Sequence, residues 1–399
     1  MSFEPNYDEA KVPQYTLPEL LRFKDGSNVT KETWSKRRQE LLEMFRTHVY
    51  GRVPQTPSEL SFETSNKQVI LSGEAIRKEV TALITTNKGE AELTILVYLP
   101  KSEKPAPCFV GLNFSGNQTI YHDNGVTRSK WIKEGVSASV GSKAERWQVE
   151  KVLARGYALA TMHCADVDAD DNMANSIRPL FDDARSKDAW GSVAAWSWGL
   201  SRMMDYLETD ESVEPSKVAL LGHSRLGKAA LWAGAQDERF ALVISNNSGC
   251  VGAALSRRRF GETVKAINTQ FPTWFCETFK EFNDNEMALP VDQHMLLALI
   301  APRPLYVASA KEDLWADPRG EFLSVLHASE VYELLGKRGL ELSTMPATNS
   351  LSLTTTAAYH IRAGKHDVTA FDWVAYLDFA DRQFPSLAHH APHSFDTRF

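Results

Sequence analysis

The sequence predicts a three-layer α/β sandwich with a mostly parallel central sheet, antiparallel strands at its N-terminal edge and insertions at its rim. Three observations carry this. Val218-Ala219-Leu220-Leu221 is a short apolar run that breaks at Gly222-His223-Ser224-Arg225-Leu226-Gly227-Lys228 and resumes as the small-residue run Ala229–Ala235. Ala241-Leu242-Val243-Ile244-Ser245 then follows Asp237-Glu238-Arg239-Phe240 as a second apolar run, so strand, tight turn, helix and strand come in the order of a parallel sheet. Further short apolar runs at 108–114, 157–162 and 305–310 alternate with helical patterns, as the other layers of such a fold require.

Taken in order, residues 1–30 are polar and punctuated by proline and read as an extended arm over one domain spanning 1–399. Thr30 caps a helix to about His48, stopped by Gly51, in which Trp34, Leu41, Leu42, Met44 and Phe45 recur near helical spacing. Leu60 to Leu99 alternates as three strands, the antiparallel edge. Cys108–Phe114 is a strand running into Ser115-Gly116-Asn117, the loop expected to supply one oxyanion-hole N–H. Residues 121–146 form a rim insertion, Trp147–Ala154 a helix and Tyr157–Met162 a buried strand. The alternating aspartates of 166–172 lack the glycine and glutamate of a calcium loop and read as an acidic surface loop. Trp190–Leu207 is an apolar helix, and about 250–289 is a second rim insertion. Leu305–Ala310 is a late strand, Glu321–Leu335 a helix, and Phe371–Phe379 the closing helix after a polar stretch at 341–360.

Composition narrows the partners. The 399 residues are 43% apolar and 24% charged, enough for a sizeable core, and the net charge of -7 argues against nucleic acid, which calls for a concentrated basic face. The short cluster Lys36-Arg37-Arg38 reads as a solvated helix face. No apolar run approaches a membrane span, and Met1–Asn6 does not begin a signal peptide. Four cysteines, Cys108, Cys164, Cys250 and Cys276, fit no metal spacing; a Cys250–Cys276 pair and buried free thiols both stand open.

The turn is where chemistry is expected. A serine on a sharp strand-to-helix turn projects its hydroxyl above the sheet while the helix N-terminus offers N–H groups to a developing oxyanion. Ser224 holds that place, although Leu226 stands where the G-x-S-x-G pattern has its second glycine and Gly227 follows one place later. Hydrolysis by serine needs a base and an acid, which in α/β-hydrolases follow in the order Ser, Asp/Glu, His. Among the histidines after Ser224, His366 lies on a short loop before the last helix, with His360 its nearest competitor; His294 and His327 sit in helical patterns, and His389, His390 and His393 in a tail. Asn246 and Asn247 fill the end of the strand after the elbow helix and carry no charge, so the acid is expected after Ala310, with Asp313 preferred over Glu312 and Asp317.

Gly222-His223-Ser224-Arg225-Leu226-Gly227-Lys228 resembles the G-C-S-R-x-G-K elbow of glucuronoyl esterases. The resemblance implies an α/β-hydrolase fold and cofactor-free cleavage of esters between glucuronic acid and an alcohol. It implies Ser224 as nucleophile, Arg225 in the oxyanion hole, Lys228 and Glu262 on sugar hydroxyls, Trp315 as a wall of the uronate pocket and His366 as base, with Asp313 placed as in bacterial members. Asn247 departs from the catalytic glutamate of fungal members, and His223 from their cysteine. The partner it implies is a glucuronic-acid-bearing polysaccharide, met by a secreted or periplasmic monomer without metal. Two other readings are an acetylxylan or other carbohydrate acetyl esterase, and an inactive carbohydrate-binding relative.

Overall fold

The computed structural model describes residues 4–54, 59–132, 137–171, 173–181 and 186–384. Asn172 of the aspartate loop, and His389, His390 and His393, lie outside them. Among the described residues nine strands form one sheet: β1 (Glu59–Ile70), β2 (Ala75–Thr86), β3 (Gly89–Pro100), β4 (Ala106–Asn113), β5 (Ala158–His163), β6 (Val213–His223), β7 (Leu242–Asn246), β8 (Leu305–Ala310) and β9 (Ala357–Arg362), in the order β1-β2-β3-β5-β4-β6-β7-β8-β9. Pairing is antiparallel from β1 through β3 to β5 and parallel from β5 onward. The expected α/β-hydrolase sandwich with an antiparallel N-terminal edge is thus the fold observed.

Alternation along the central strands sorts their side chains onto two buried faces. Val110, Leu220 and Val243 face one layer, packed with Trp196 of helix Ser192–Leu207 and Trp232 of helix Arg225–Gln236. Phe109, Ala219, Ile244 and Tyr306 face the other, packed with Trp373 and Phe379 of helix Ala370–Gln383. Such central strands are apolar throughout because both faces are covered.

Several expectations need correction. The first helix runs Trp34–Phe45 and its N-cap is Thr33, while Thr30 contributes its N–H to the Thr33 Oγ1 at 2.8 Å. Of Lys36-Arg37-Arg38 only Lys36 is on a solvated face: Arg38 donates to the carbonyls of Ala235 (2.6 Å) and Leu299 (3.2 Å), and Arg37 to those of Leu20 and Glu19. Guanidinium groups with their long apolar stems can be buried this way when carbonyls left over at helix ends need donors. The 147–154 helix is two pieces, Ala144–Trp147 and Val149–Ala154, separated by Gln148 at φ 47°. β9 begins inside the stretch read as polar and runs past it to Arg362, since Ala357-Ala358-Tyr359 carries too little alternation to announce a strand covered on both faces. All four cysteines are free, so Cys250 and Cys276 do not pair.

Candidate active site

The elbow is built by backbone contact. Ser224 sits at φ 56° and ψ −130°, a conformation that costs an L-residue energy and persists where the surroundings over-determine it. Its N–H donates to the Asn246 carbonyl at 2.9 Å, and its own carbonyl accepts from Gly227 at 2.9 Å. A Cβ on Gly222 would lie 2.1 Å from the Leu226 carbonyl oxygen, and one on Gly227 would lie 2.9 Å from the Ser248 Cβ. The close approach that calls for a second glycine therefore falls at 227, and Leu226, 1% exposed, is free to be a core residue. The helix starts at Arg225, so with Gly227 N–H spent on the Ser224 carbonyl, the N–H groups of Arg225 and Leu226 are the ones without an acceptor in their own helix.

The two residues expected as base and acid, His366 and Asp313, come together. His366 Nδ1 is 2.5 Å from Asp313 Oδ2. The two loops that carry them are laced: Lys311 N–H donates to the Arg362 carbonyl at 2.8 Å and Glu312 N–H to the Gly364 carbonyl at 3.0 Å. The competitors are occupied elsewhere. Glu312 is exposed, while Asp317 pairs with Arg258 at 2.8 Å and caps the helix Pro318–Leu334. His360 is fully buried between the Tyr306 hydroxyl (2.8 Å) and Asp372 (3.0 Å).

His223, next to the serine in the chain, lies beside His366, their ring centroids 4.6 Å apart. Asn246 donates from Nδ2 to the Tyr376 hydroxyl at 2.7 Å, which leaves its oxygen to accept from His223 Nδ1 at 2.7 Å. Burial, and then the neighbouring His366 and Arg146, hold His223 well below the usual imidazole range. It therefore stays neutral and can lie against His366 while His366 carries a proton.

Arg225 is held in an aromatic box. Its guanidinium carbon is 4.7 Å from the Trp274 ring, 5.4 Å from Phe271 and 6.0 Å from Phe114, and its Nη1 is 2.5 Å from Asp170 Oδ2. Trp274 Nε1 donates to the other oxygen of Asp170 at 2.7 Å. Of the acidic surface loop expected at 166–172, the described residues 166–171 are buried or half-buried: Asp168 is 1% exposed and pairs with Arg178 at 2.9 Å, and burial pushes Asp166 up to about 7. Asp170 and Trp274 were not singled out from the sequence. The loop's composition signals exposure, and only residues distant along the chain, the cations Arg178 and Arg225 and the Trp274 ring from 250–289, come to cover it.

Lys228 and Glu262 are less available than expected. The Lys228 ammonium donates to the carbonyls of Ser248 (2.7 Å) and Cys250 (2.6 Å) and lies 3.5 Å from Glu262. Burial raises the Glu262 carboxyl, opposed by Lys228 and by a hydrogen bond with the Trp315 side chain. Trp315 itself is half-buried beside them. In the Ser115-Gly116-Asn117 loop the Gly116 N–H is spent on Asn113 Oδ1 at 2.9 Å, so this glycine is not the second oxyanion donor.

Glu321 lies beneath the site and carried no sequence signal. Ser309 Oγ (2.5 Å), Gly249 N–H (3.0 Å) and Ser248 Oγ (3.4 Å) all donate to it, tying the ends of β7 and β8 together. Burial chiefly pushes it up to about 8, with the Asp313 charge adding to the rise. An unfolded glutamate titrates near ~4.3, so between there and about 8 the native state keeps a proton that the unfolded chain releases. Stability should therefore fall as pH rises through that window and level above it. Glu321→Gln should flatten this part of a Tm-against-pH curve, with Asp166 leaving a smaller residual slope; an unaltered slope would show that Glu321 is ionised in the folded protein.

The surroundings match known proteins closely. Carbohydrate esterase MZ0003, from an unknown prokaryotic organism, is 49% identical over 94% of this chain and 91% of its own length. This chain belongs to the glucuronoyl esterase family. The family model described as "Glucuronyl esterase, fungi" matches residues 147–336. The glucuronoyl esterase from Solibacter usitatus superposes with a TM-score of 0.88 at 47% identity, covering 94% of this chain and all of that one. The 4-O-methyl-glucuronoyl methylesterase 1 of Wolfiporia cocos is 28% identical over 82% of this chain and 74% of its own. Within this glucuronoyl esterase, the matched family segment contains the elbow, Glu262, Asp313 and Trp315, whereas His366 lies beyond it. No helix among the described residues is long and apolar enough to cross a membrane.

Proposed function

We propose that this glucuronoyl esterase hydrolyses esters of glucuronic acid, 4-O-methylated forms included, through an acyl-enzyme on Ser224. The observation that carries the reading is the 2.5 Å His366–Asp313 pair, with the His366 ring beside that of His223, the residue before the strained elbow serine. With His366 Nδ1 donating to Asp313, Nε2 is the atom left to take the serine proton. Ser224 Oγ then attacks the ester carbonyl, and the developing oxyanion is met by the first N–H groups of the helix and by the Arg225 guanidinium. His366 returns the proton to the departing alcohol, and water repeats the sequence on the acyl-enzyme to release the uronate. Asp313 stays ionised throughout, orienting the imidazole and stabilising its cation.

The acyl side of the substrate is assigned to Lys228, Glu262 and Trp315. Because the Lys228 ammonium is committed to two carbonyls and Glu262, its part is to fix that carboxylate, whose remaining acceptor capacity suits sugar hydroxyls, with the Trp315 ring as the pocket wall. The natural substrate in this reading is a glucuronic-acid-bearing polysaccharide of the xylan type, reached by a secreted or periplasmic monomer.

The test sets methyl glucuronate beside an acetylated xylose. We expect kcat/KM on the uronate ester to exceed that on the acetate by at least roughly tenfold, about 1.4 kcal/mol of transition-state discrimination. Faster turnover of the acetate would make the chain an acetyl esterase, and no turnover of either would favour a carbohydrate-binding relative.

A further inference from the structure

The N-terminal arm reaches the active-site rim and is pinned there. The Gly261 N–H donates to the Asn6 carbonyl at 2.8 Å, Asp8 caps the turn Glu9–Lys11, and Glu9 pairs with Arg258 (2.6 Å) and Arg319 (3.2 Å). Gly261 in turn lies against the triad-acid loop. At φ +64° a Cβ there would be 2.5 Å from the carbonyl oxygens of Leu314 and Trp315, and the next residue, Glu262, donates its N–H to the Trp315 carbonyl at 3.0 Å. The arm, the 258–262 segment and the Asp313–Trp315 turn are therefore one packed unit.

On that unit stands Tyr7. Its ring meets Phe260 edge-on at 6.1 Å, yet 46% of the residue is exposed, as is 41% of the neighbouring Leu314. Partial burial and the charge of Asp313 raise its phenol, which sets the hydroxyl within electrostatic reach of the acid. An exposed ring on a loose arm would need no explanation; this one is held by a main-chain hydrogen bond and two ion pairs beside the pocket wall. Pre-organised aromatic surface next to a polar cleft suits a ligand with one apolar and one hydroxylated aspect, as a sugar ring has.

We propose that Tyr7 forms a second carbohydrate subsite, taking the sugar ring to which the uronate is attached. The inference rests on the glucuronate-ester reading, which puts the uronate over Glu262 and Trp315. The arm joins these two residues through Gly261, whose N–H holds the Asn6 carbonyl and whose backbone packs against the carbonyls of Leu314 and Trp315. Tyr7 is then placed beside the wall of the uronate pocket, where the sugar ring that carries the uronate would lie on its exposed face.

The experiment compares methyl glucuronate with the same methyl ester carried on xylotriose, in the full chain and in Tyr7→Ala and Tyr7→Phe. Tyr7→Ala should lower kcat/KM about fivefold more on the oligosaccharide ester than on the monosaccharide ester, mostly through KM, and Tyr7→Phe should restore most of it because the ring face makes the contact. An equal loss on both substrates, or none on the oligosaccharide, overturns the subsite. Calorimetric titration with the free-acid glucuronoxylotriose needs no turnover and keeps the question separate from the ester chemistry. Weaker binding in Tyr7→Ala supports the subsite even if neither ester is hydrolysed, and an unchanged Kd overturns it.

Discussion

Ser224→Ala should lower kcat on methyl glucuronate by roughly five to six orders of magnitude, the loss seen when a triad nucleophile is removed and only the oxyanion donors and binding remain. The fold should survive. Alanine and serine bear the same cost at φ 56°, and the bonds that hold the elbow run through the backbone of Ser224, Asn246 and Gly227, none of which the substitution removes. A thermal melt within a few degrees of the parent, together with the lost turnover, would identify the hydroxyl as the reacting group. Retention of turnover within tenfold would move the nucleophile to another side chain. Binding of glucuronic acid should persist, since Lys228, Glu262 and Trp315 are untouched.

Asp313→Asn is expected to cost roughly 10,000-fold in kcat. The asparagine has nearly the same shape, but its amide can present an N–H to His366 Nδ1. The imidazole would then carry its proton on Nε2, the atom that must accept from Ser224, and no charge would remain behind the cation formed in the transition state. The controls separate this from general damage. Glu312 is exposed, and Glu312→Gln should leave kcat near that of the parent. Asp317 holds Arg258 and caps the helix Pro318–Leu334, so Asp317→Asn should lower Tm more than kcat. If Asp313→Asn turns over nearly as fast as the parent, the acid stands elsewhere and the 2.5 Å pair is structural.

The strand, turn and helix around Ser224 were readable because they are local. A buried parallel strand needs an unbroken apolar run, and a sharp turn leaves glycine, both visible in a window of a dozen residues. The pairing of His366 with Asp313 could be anticipated as well, because the two asparagines at the end of β7 leave the end of β8 as the place for a charge. What stayed hidden depends on neighbours distant in sequence. Asp168 and Asp170 carry the composition of a surface loop, yet Arg178 pairs with the first, which is buried, and Arg225 and Trp274 hold the second half-buried. Arg37 and Arg38 look like a solvated helix face until the carbonyls of Leu20, Ala235 and Leu299 are brought to them. β9 was obscured for a related reason, since alternation vanishes in a strand that is covered on both sides.

By itself the sequence determined the sheet class, the elbow, and which serine, carboxylate and histidine are available for ester chemistry, because hydrophobic period, turn residues and chain order are properties of neighbours along the chain. The tertiary structure alone decided that His366 meets Asp313 rather than Glu312 or Asp317, that Lys228 is spent on holding Glu262, and that the arm sets Tyr7 at the rim. Those outcomes turn on hydrogen bonds and ion pairs between residues tens to hundreds of positions apart, and their energies depend on burial, which no local pattern of residues records.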